Sequence, residues 1–328
     1  MSAAAGRRAA LALVWALAAA IAGCASVSDT AQDHSLAALN TRDLKPLPGL
    51  PVLDGSKACE RDPYRSLAPG ALPRPGHMPE GTFMRKIQRR GRLTVGVDQN
   101  SLGLGYFNPR TGKMEGFDID VVRKVARAIF GPGNPDDHIR YRAISTQQRE
   151  AAVYYRNVDM VASAFTNTCG RQRRMRFSTV YYRARQRLLV PENSDVNSLS
   201  DLKDERVCAT RSSTTIANLV KTGVVAFPVE LRSDCLVALQ ERDVAAVTSD
   251  DAILVGLCRQ DPQTKIVGPP IKDIQHYGLA MDRRRRGFVR FVNAVLKRVD
   301  LDALSKRWLG DLAAQSHHVI RRCKIRGT

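Results

Sequence analysis

From about residue 93 to residue 309 the chain alternates short apolar runs with segments of helical periodicity. A run such as 93–97 is typical of a buried strand, and the apolar spacing across 121–129 is that of one helix face. The predicted strands are 93–97, 141–144, 158–163, 186–190, 206–210, 228–231, 244–248, 265–267 and 276–280. The predicted helices are 121–129, 147–156, 214–221, 234–241, 251–259, 287–298 and 301–309. This alternation predicts parallel sheets, whose binding crevices lie at the carboxyl ends of the strands.

The first 24 residues have the pattern of an export signal. Arg7 and Arg8 begin a positive segment, and Ala9–Ala20 is an apolar run too short to span a bilayer comfortably. The following Ile21–Cys24 resembles the lipobox of a lipoprotein signal, which implies a chain cut before Cys24 and lipid attached to that thiol. An ordinary secretory signal with a chance cysteine is the alternative.

Residues 24–81 are expected to be the lipid anchor and a linker. They hold eight of the sixteen prolines, and proline-rich polar sequence resists packing and stays extended. Cys59 is the exception, because a bonded cysteine would pin the later half of this segment to the folded domain.

Composition and charge describe a globular protein with an anionic partner. Charged residues at 25% and hydrophobic residues at 44% exclude a disordered or membrane-embedded chain, and 328 residues leave room for two domains. A formal net charge of +19 favours nucleic acid or an anionic surface. Since an exported protein meets no nucleic acid, we expect anionic lipid, cell-wall polymer or the steering of acidic ligands.

A possible anion site lies within residues 159–182. A buried strand there runs into a Ser/Thr loop, and Arg171 follows a turn at Gly170 at the start of a short predicted helix. Hydroxyls at a strand end and a guanidinium able to grip both oxygens of a carboxylate suit a small acidic ligand. The alternative is a solvated basic face made of Arg171 with Arg173, Arg174 and Arg176.

The same stretch carries a family resemblance. The matching positions are Ser163, Thr166, Thr168, Arg171, Phe177, Ser178, Tyr181 and Tyr182, with Gly116–Asp120, Tyr277, Gly278 and Trp308 in the same order along the chain. The pattern resembles the family-3 solute-binding proteins, which are polar amino acid receptors of bacterial ABC importers. The resemblance covers roughly residues 82–310.

The resemblance implies an α/β fold of the two-lobe, type II periplasmic-binding-protein (Venus flytrap) kind, with a hinge of two crossing segments. Its lobes close on a ligand between them. The implied boundaries are 1–23 for the signal peptide, 82–186 plus 276–310 for lobe I, 187–275 for lobe II and 311–328 for a C-terminal tail.

The family pattern also implies the two groups that would hold a zwitterionic amino acid. Arg171 would bind the carboxylate and Asp250 the ammonium, because an unpaired charge in a closed cleft costs several kcal/mol. Asp250 is alternatively the N-cap of the helix 251–259, and the two roles could be divided between Asp250 and Asp251. Ser163 and Thr166 would add polar contacts, and Asp98 lies at another predicted strand end.

Two departures from the family pattern put loop geometry in doubt. Ser213 and Thr214 match a loop that presents hydroxyls and N–H groups to the carboxylate, but Ser212 replaces the usual glycine. Gly103 stands where relatives often carry proline.

Side-chain specificity depends on the element 145–149. Thr146 and Arg149 match a motif with which acidic amino acid receptors of the family bind a distal carboxylate; the alternative for Arg149 is an exposed arginine early in a helix. Glutamate or aspartate is therefore the first expected ligand, glutamine or asparagine the second, and a basic amino acid the last.

Seven cysteines also fit export, since six remain without Cys24. The predicted pairs are Cys208–Cys235, Cys59–Cys169 and Cys258–Cys323. We favour the first because its cysteines fall on a strand and a helix of lobe II, and the other two follow by elimination. Metal binding is the rival explanation, but no two cysteines have C-x-x-C spacing.

Three functions remain open at this point. The first is a monomeric, lipid-anchored receptor on the outer face of the cell membrane that delivers an amino acid to the permease of an ABC importer. The second is a sensor read by a membrane kinase or another receptor. The third is an enzyme, since the pattern also resembles periplasmic cyclohexadienyl dehydratases. We expect no enzyme, metal or cofactor, because Asp98, Asp250 and His276 are scattered and no catalytic cluster appears.

Overall fold

The structure is a computed structural model that describes residues 64–220 and 222–310. The first lobe begins with α1 (Phe83–Arg89), β1 (Leu93–Val97), β2 (Asn100–Ser101), β3 (Gly105–Asn108), β4 (Lys113–Glu115), α2 (Phe117–Phe130), β5 (Ile139–Ala143), α3 (Arg149–Tyr154), β6 (Met160–Ala162), α4 (Cys169–Gln172), β7 (Met175–Phe177) and β8 (Tyr182–Ala184). The second lobe contains β9 (Gln186–Pro191), β10 (Arg206–Thr210), α5 (Thr214–Ala217), β11 (Val225–Val229), α6 (Arg232–Gln240), β12 (Ala246–Asp250), α7 (Asp251–Gln260) and β13 (Thr264–Val267). The chain then returns through β14 (Gln275–Tyr277), β15 (Ala280–Asp282), α8 (Arg286–Leu296) and α9 (Leu301–Leu309).

Each lobe is built on a five-stranded sheet. The order is β5-β1-β6-β15-β7 in lobe I and β11-β10-β12-β9-β13 in lobe II. The β1, β5 and β6 strands are parallel, as are β10, β11 and β12, but β15 and β9 run antiparallel to their neighbours. The predicted parallel pairing thus holds for three neighbouring strands of each sheet, and the sheets are mixed because β9 and β15, on which the chain enters each lobe after a crossing, run in the opposite direction.

Two antiparallel segments connect the lobes. Strands β8 and β14 pair with Tyr182 opposite Tyr277 and Ala184 opposite Gln275. The predicted single strand 276–280 is thus two short strands, one in this connection and one in the sheet of lobe I. The two-lobe α/β prediction is confirmed, with the two crossings that a hinge requires.

The apolar positions predicted for one helix face form the centre of the lobe I core. In α2 the residues Val121, Val122, Val125, Ala126 and Ile129 are fully buried. The predicted loop after β1 is instead a small antiparallel sheet of order β2-β3-β4. Its last strand meets α2 at Gly116, which has a φ of +128° and where a Cβ would lie 2.2 Å from the Leu104 carbonyl oxygen.

The described end of the expected linker packs onto lobe I. Ser66 Oγ donates to the Phe177 carbonyl, Gly70 N donates to the Arg290 carbonyl, and Met78 is buried. Residues 64–81 therefore belong to the folded body, and α1, which the sequence did not predict, continues from them. The predicted signal peptide, Cys24, the predicted linker up to residue 63 and the predicted tail 311–328 lie outside the described residues.

A disulfide joins β10 to α6 inside lobe II. It links Cys208 and Cys235, whose Cα atoms are 5.6 Å apart. This pairing was predicted. Cys169 and Cys258 are also disulfide-bonded, but the partners predicted for them, Cys59 and Cys323, lie outside the described residues, so those two pairings stay predictions. None of the described helices has the length and apolar character needed to cross a bilayer.

Candidate functional site

Most of the predicted ligand residues meet in one cavity between the lobes. Its lining comes from loops at the carboxyl ends of β5 and β6 in lobe I and of β10 and β12 in lobe II, as expected for parallel strands. Six predicted residues line it: Thr146, Arg149, Thr166, Ser213, Thr214 and Asp250. The cavity has a volume of about 20 Å³, which is room for little more than one water molecule. The lobes are therefore closed over the site.

Asp250 is a buried carboxylate with one oxygen still available. It is the last residue of β12, is 3% exposed, and accepts a 2.6 Å hydrogen bond from Tyr277 Oη at Oδ2. Its Oδ1 is buried and has no hydrogen-bond partner among the described residues. Burial raises the pKa of Asp250, against the lowering effects of the Tyr277 hydrogen bond and of Arg232, Arg149 and Arg171.

The alternative role of Asp250 as a helix N-cap agrees with its position in the chain but not with its hydrogen bonds. Asp250 occupies the N-cap of α7, yet its side chain makes no capping hydrogen bond. The next residue, Asp251, accepts a hydrogen bond from Ala252 N at Oδ1 and does not line the cavity. Burial raises the pKa of Asp251 to about 7. Of the two neighbouring carboxylates, Asp250 is the one presented to the cleft.

Arg171 lies between the lobes but beside the cavity rather than in its lining. Its Nη1 donates to the Thr166 carbonyl at 2.7 Å and its Nη2 to the Ser212 carbonyl of lobe II at 3.2 Å. Its Nε pairs with Glu150 at 3.3 Å. At 7% exposure Arg171 is not part of a solvated face. The predicted short helix is present as α4, but it begins at Cys169, so Gly170 lies within the helix rather than in a turn before it. Desolvation lowers the pKa of Arg171, and Glu150 opposes that shift.

Arg149 is buried, contrary to the surface alternative. It begins α3 and donates to three carbonyl oxygens, of Thr146, Ser163 and Ala164, at 3.0 to 3.1 Å. Its guanidinium also lies 4.4 Å from the centre of the Phe165 ring. No ion pair among the described residues involves Arg149, and burial with the nearby charge of Arg171 lowers its pKa.

Arg232 is a site residue that the sequence analysis missed. It is the first residue of α6, lines the cavity and is 5% exposed. Its Nη1 donates to Asp98 Oδ2 at 2.6 Å and to Ser101 Oγ at 2.7 Å, and its Nη2 donates to the Ser163 carbonyl. The helix was predicted to begin at Asp234. The signal that could have found Arg232 is its place directly after β11, at the same strand ends as the other site residues.

Two predicted residues are near the cavity without lining it. Asp98 faces Arg232 instead, and also accepts hydrogen bonds from Asn100 N and Ser101 Oγ. Ser163 supplies its carbonyl to Arg149 and Arg232, while its hydroxyl is buried with no partner among the described residues. Both therefore position the arginines around the cavity.

Buried Asp118 holds the loop that follows β6. Its Oδ2 accepts from Ala164 N at 2.8 Å and its Oδ1 from Tyr181 Oη at 2.7 Å. Ala164 has a φ of +45°, a region that costs a residue with a Cβ about 1–2 kcal/mol. The two hydrogen bonds to Asp118 offset that strain and fix the carbonyl oxygens that receive Arg149.

The loop that departs from the family pattern keeps the conformation of a glycine. Ser212 has a φ of +57°, so its backbone enters the left-handed region despite its side chain. Ser213 then caps α5, accepting from Ile216 N at Oγ. Serine at position 212 is therefore accommodated by a strained backbone, and the loop keeps the conformation that a glycine would adopt.

Among the described residues no three His, Cys, Asp or Glu side chains are grouped as metal ligands.

The family model for bacterial extracellular solute-binding proteins, family 3, matches residues 93–311. The chain belongs to this family. The matched residues include both sheets and every side chain of the cavity. The arrangement of two lobes around a cleft is accordingly that of the type II periplasmic-binding-protein fold.

The matches to family relatives cover most of each relative's length. A glutamine-binding protein of Geobacillus stearothermophilus is 31% identical over 210 residues, covering 63% of this chain and 79% of that protein. The glutamate-binding protein GluB of Corynebacterium efficiens is 29% identical over 243 residues, covering 70% and 82%. A crystal structure of the solute receptors for L-cysteine of Neisseria gonorrhoeae superposes with a TM-score of 0.65 at 19% identity, covering 73% of this chain and 99% of that one. At that identity the superposition shows the fold alone.

Proposed function

We propose that this family 3 protein is an extracytoplasmic receptor that binds an acidic amino acid between its lobes and presents it to an ABC importer. The observation that carries the proposal is the free oxygen of Asp250. A buried carboxylate oxygen without a partner is costly, and this one faces a cavity lined by hydroxyls and arginines. The ammonium group of an amino acid would satisfy it.

The α-carboxylate of the zwitterion would be bound by Arg171 and the nearby hydroxyls. Arg171 donates three hydrogen bonds to the protein, and a guanidinium has five N–H donors, so donors remain for an α-carboxylate. Thr166 and Thr214 approach each other from the two lobes, with their hydroxyl oxygens 3.4 Å apart. A carboxylate held there contacts both lobes, which couples binding to closure.

Two further arginines, Arg149 and Arg232, would bind the side-chain carboxylate of an acidic ligand. Arg149 is buried with carbonyl partners but no ion pair among the described residues, and Arg232 lines the same cavity. A distal carboxylate would compensate this buried positive charge, whereas a basic ligand would add to it. The relatives named for glutamine and glutamate agree with this class. We therefore rank glutamate and aspartate first, and glutamine and asparagine second.

The small cavity requires the lobes to open before a ligand enters. A volume of about 20 Å³ is far below that of an amino acid, so Arg232 and its neighbours must move apart as the lobes separate about β8 and β14. The Bacillus subtilis relative is named an ABC transporter glutamine-binding protein, which supports the importer as partner. Lipid attachment at Cys24 remains part of the proposal and would keep the receptor at the outer face of the membrane.

Isothermal titration calorimetry of the purified full chain with the twenty common amino acids tests the proposal. We expect glutamate or aspartate to bind best, the amides more weakly, and arginine and lysine not at all. Arg149→Lys, which keeps the charge but changes the geometry, should weaken glutamate more than glutamine. Because lysine also loses hydrogen bonds to buried carbonyls, the readout is the ratio of the two affinities within the variant. Absence of heat and of thermal shift with every amino acid, or a preference for a basic one, would overturn the proposal.

A further inference from the structure

The positive charge of this protein is distributed very unevenly between its lobes. Residues 82–186 and 276–310 of lobe I contain 29 Lys and Arg against 11 Asp and Glu, a net charge of +18. Residues 187–275 of lobe II contain 10 against 13, a net charge of −3. The basic character of the chain is therefore a property of lobe I, and steering of an acidic ligand into a cleft formed by both lobes does not account for its restriction to one of them.

Exposed arginines lie over much of lobe I, and one group of six arginines adjoins the end of its sheet that is farthest from the cleft. The cavity lies at the carboxyl ends of β5 and β6, so the opposite edge is marked by the first residues of the parallel strands. Register places Leu93 beside Ile139, Met160 beside Met281, and Asp282 beside Met175. We define the basic edge as Arg92, Arg156, Arg176, Arg283, Arg284 and Arg286, which adjoin these positions.

Contacts link four members of the basic edge. Arg176 Nε donates to the Arg283 carbonyl at 3.0 Å, and Asp282 pairs with Arg156 at 3.0 Å and with Arg284 at 3.7 Å. The side chains of Arg156 and Arg284 are 48% and 71% exposed. Arg156 and Arg284 thus share one aspartate, and Arg176 is bonded to the backbone of the residue that follows it.

Acidic groups around the edge do not neutralise it. Asp159, the residue directly before β6, is buried and is already bonded to Arg90 and to Thr94 N. Burial and the charges of Arg286 and Arg283 lower the pKa of Arg176. An array of like charges at one end of a lobe lowers stability, so it is the kind of surface that an anionic partner would stabilise.

We propose that the basic edge docks on the surface of a bilayer that contains anionic lipids. The arginines extend from β1 to β7, roughly 14 Å at about 4.8 Å per strand, and they are spread over the edge rather than gathered in a pocket. Such a surface matches many singly charged headgroups better than one small anion. The inference goes beyond amino-acid binding and rests on the proposed extracytoplasmic location.

Docking in this way fixes the orientation of the receptor. Because the basic edge and the cavity lie at opposite ends of the lobe I sheet, the cleft faces away from the lipid when the edge is in contact with it. Lobe II, with its small negative charge, gains nothing from the anionic surface. The docked state is therefore a resting orientation in which the site stays open to ligand from the outside.

Vesicle co-sedimentation with the full chain carrying Cys24→Ser, which has no thiol at that position for lipid, tests the proposal. Neutral phosphatidylcholine vesicles are compared with vesicles containing 30% phosphatidylglycerol, about 30% being enough to give a surface potential of physiological size. We expect binding only to the anionic vesicles and loss of binding at high salt, because screening shortens the range of the interaction. The triple variant Arg92→Gln, Arg284→Gln, Arg286→Gln should bind about 100-fold more weakly, since each arginine near such a surface strengthens binding roughly fivefold.

The matched control removes three exposed charges from the cleft end of the same lobe. Arg110→Gln, Lys113→Gln and Arg142→Gln change the net charge equally, and Arg142 lies beside Gly96 near the carboxyl end of β1. This variant should keep most of its vesicle binding. Equal loss in both variants, equal binding to neutral vesicles, or binding to a soluble polyanion such as polyphosphate without binding to vesicles overturns the proposal. Calorimetry with glutamate is independent of this result, so failure of docking and failure of ligand binding are distinguishable.

Discussion

Arg232 of lobe II forms an ion pair across the cleft with Asp98 of lobe I, with Nη1 2.6 Å from Oδ2. Both side chains are buried, at 4% and 13% exposure, and the two residues are 134 positions apart in the chain. Opening the lobes would separate the pair and return each charge to water. The ion pair therefore belongs to the closed form. Because Arg232 also lines the cavity, replacing it should affect both ligand binding and closure.

Replacing Arg232 with Gln should weaken closure and ligand binding together. Removing one partner of a buried ion pair leaves the other uncompensated, at a cost of about 3–5 kcal/mol, and part of that cost falls on the closed form. We expect at least tenfold weaker glutamate binding by calorimetry and a larger radius of gyration in small-angle scattering. Lys203→Gln, at an exposed position of lobe II, is the control; an unchanged affinity in Arg232→Gln contradicts the argument.

Asp250→Asn should abolish amino-acid binding and stabilise the ligand-free protein. The carboxylate is buried with a raised pKa and one oxygen unpaired, so its charge lowers the free energy of unfolding at neutral pH. The amide keeps the shape and the acceptor for Tyr277 but cannot neutralise an ammonium group. A higher melting temperature without ligand, together with affinity reduced at least 30-fold, is the expected pair of results. Lower stability without ligand would show that the charge is satisfied in the closed form.

The contribution of Asp251 to the free energy of unfolding should decrease as pH rises. Its pKa is raised from 3.8 to about 7 by burial, so the folded state holds the proton more tightly than the unfolded state. The stability from this group is fully present below about pH 4 and is lost as pH rises through about 7. The melting temperature of the parent minus that of Asp251→Asn should therefore decrease between pH 4 and pH 8. A constant difference over this range contradicts the assignment.

Ser212→Gly should stabilise the protein without altering ligand affinity. Ser212 has a φ of +57°, where glycine avoids the steric penalty of a Cβ, so we expect a gain of up to about 1 kcal/mol in urea denaturation. Only its carbonyl contacts Arg171, and that group is unchanged. Ser305→Gly in α9 is the opposite control and should lose about 1 kcal/mol. Lower stability in Ser212→Gly would mean that the loop is not strained.

Boundaries read from the sequence were accurate where the local pattern was strong. Strand 206–210 and helix 301–309 were placed correctly, since a short apolar run and a clear helical period each report on local burial. Strand 244–248 was placed two residues early, because Ser249 and Asp250 are polar residues inside a buried strand. A polar residue at a strand end normally signals a loop, and here it is the site itself that breaks the pattern.

By itself the sequence determined the alternation of strands and helices, the two lobes, the Cys208–Cys235 bond, and six of the residues that line the cavity. All of these depend on local periodicity or on a family pattern of neighbouring residues. Only the tertiary structure decided that Arg232 meets Asp98, that Arg171 lies beside the cavity, and that six arginines of lobe I adjoin one end of its sheet. The Arg232–Asp98 and Arg176–Arg283 contacts join residues 134 and 107 positions apart, and Arg171 reaches Ser212 of the other lobe 41 positions away. Their geometry follows from strand order and lobe closure, which no local spacing encodes.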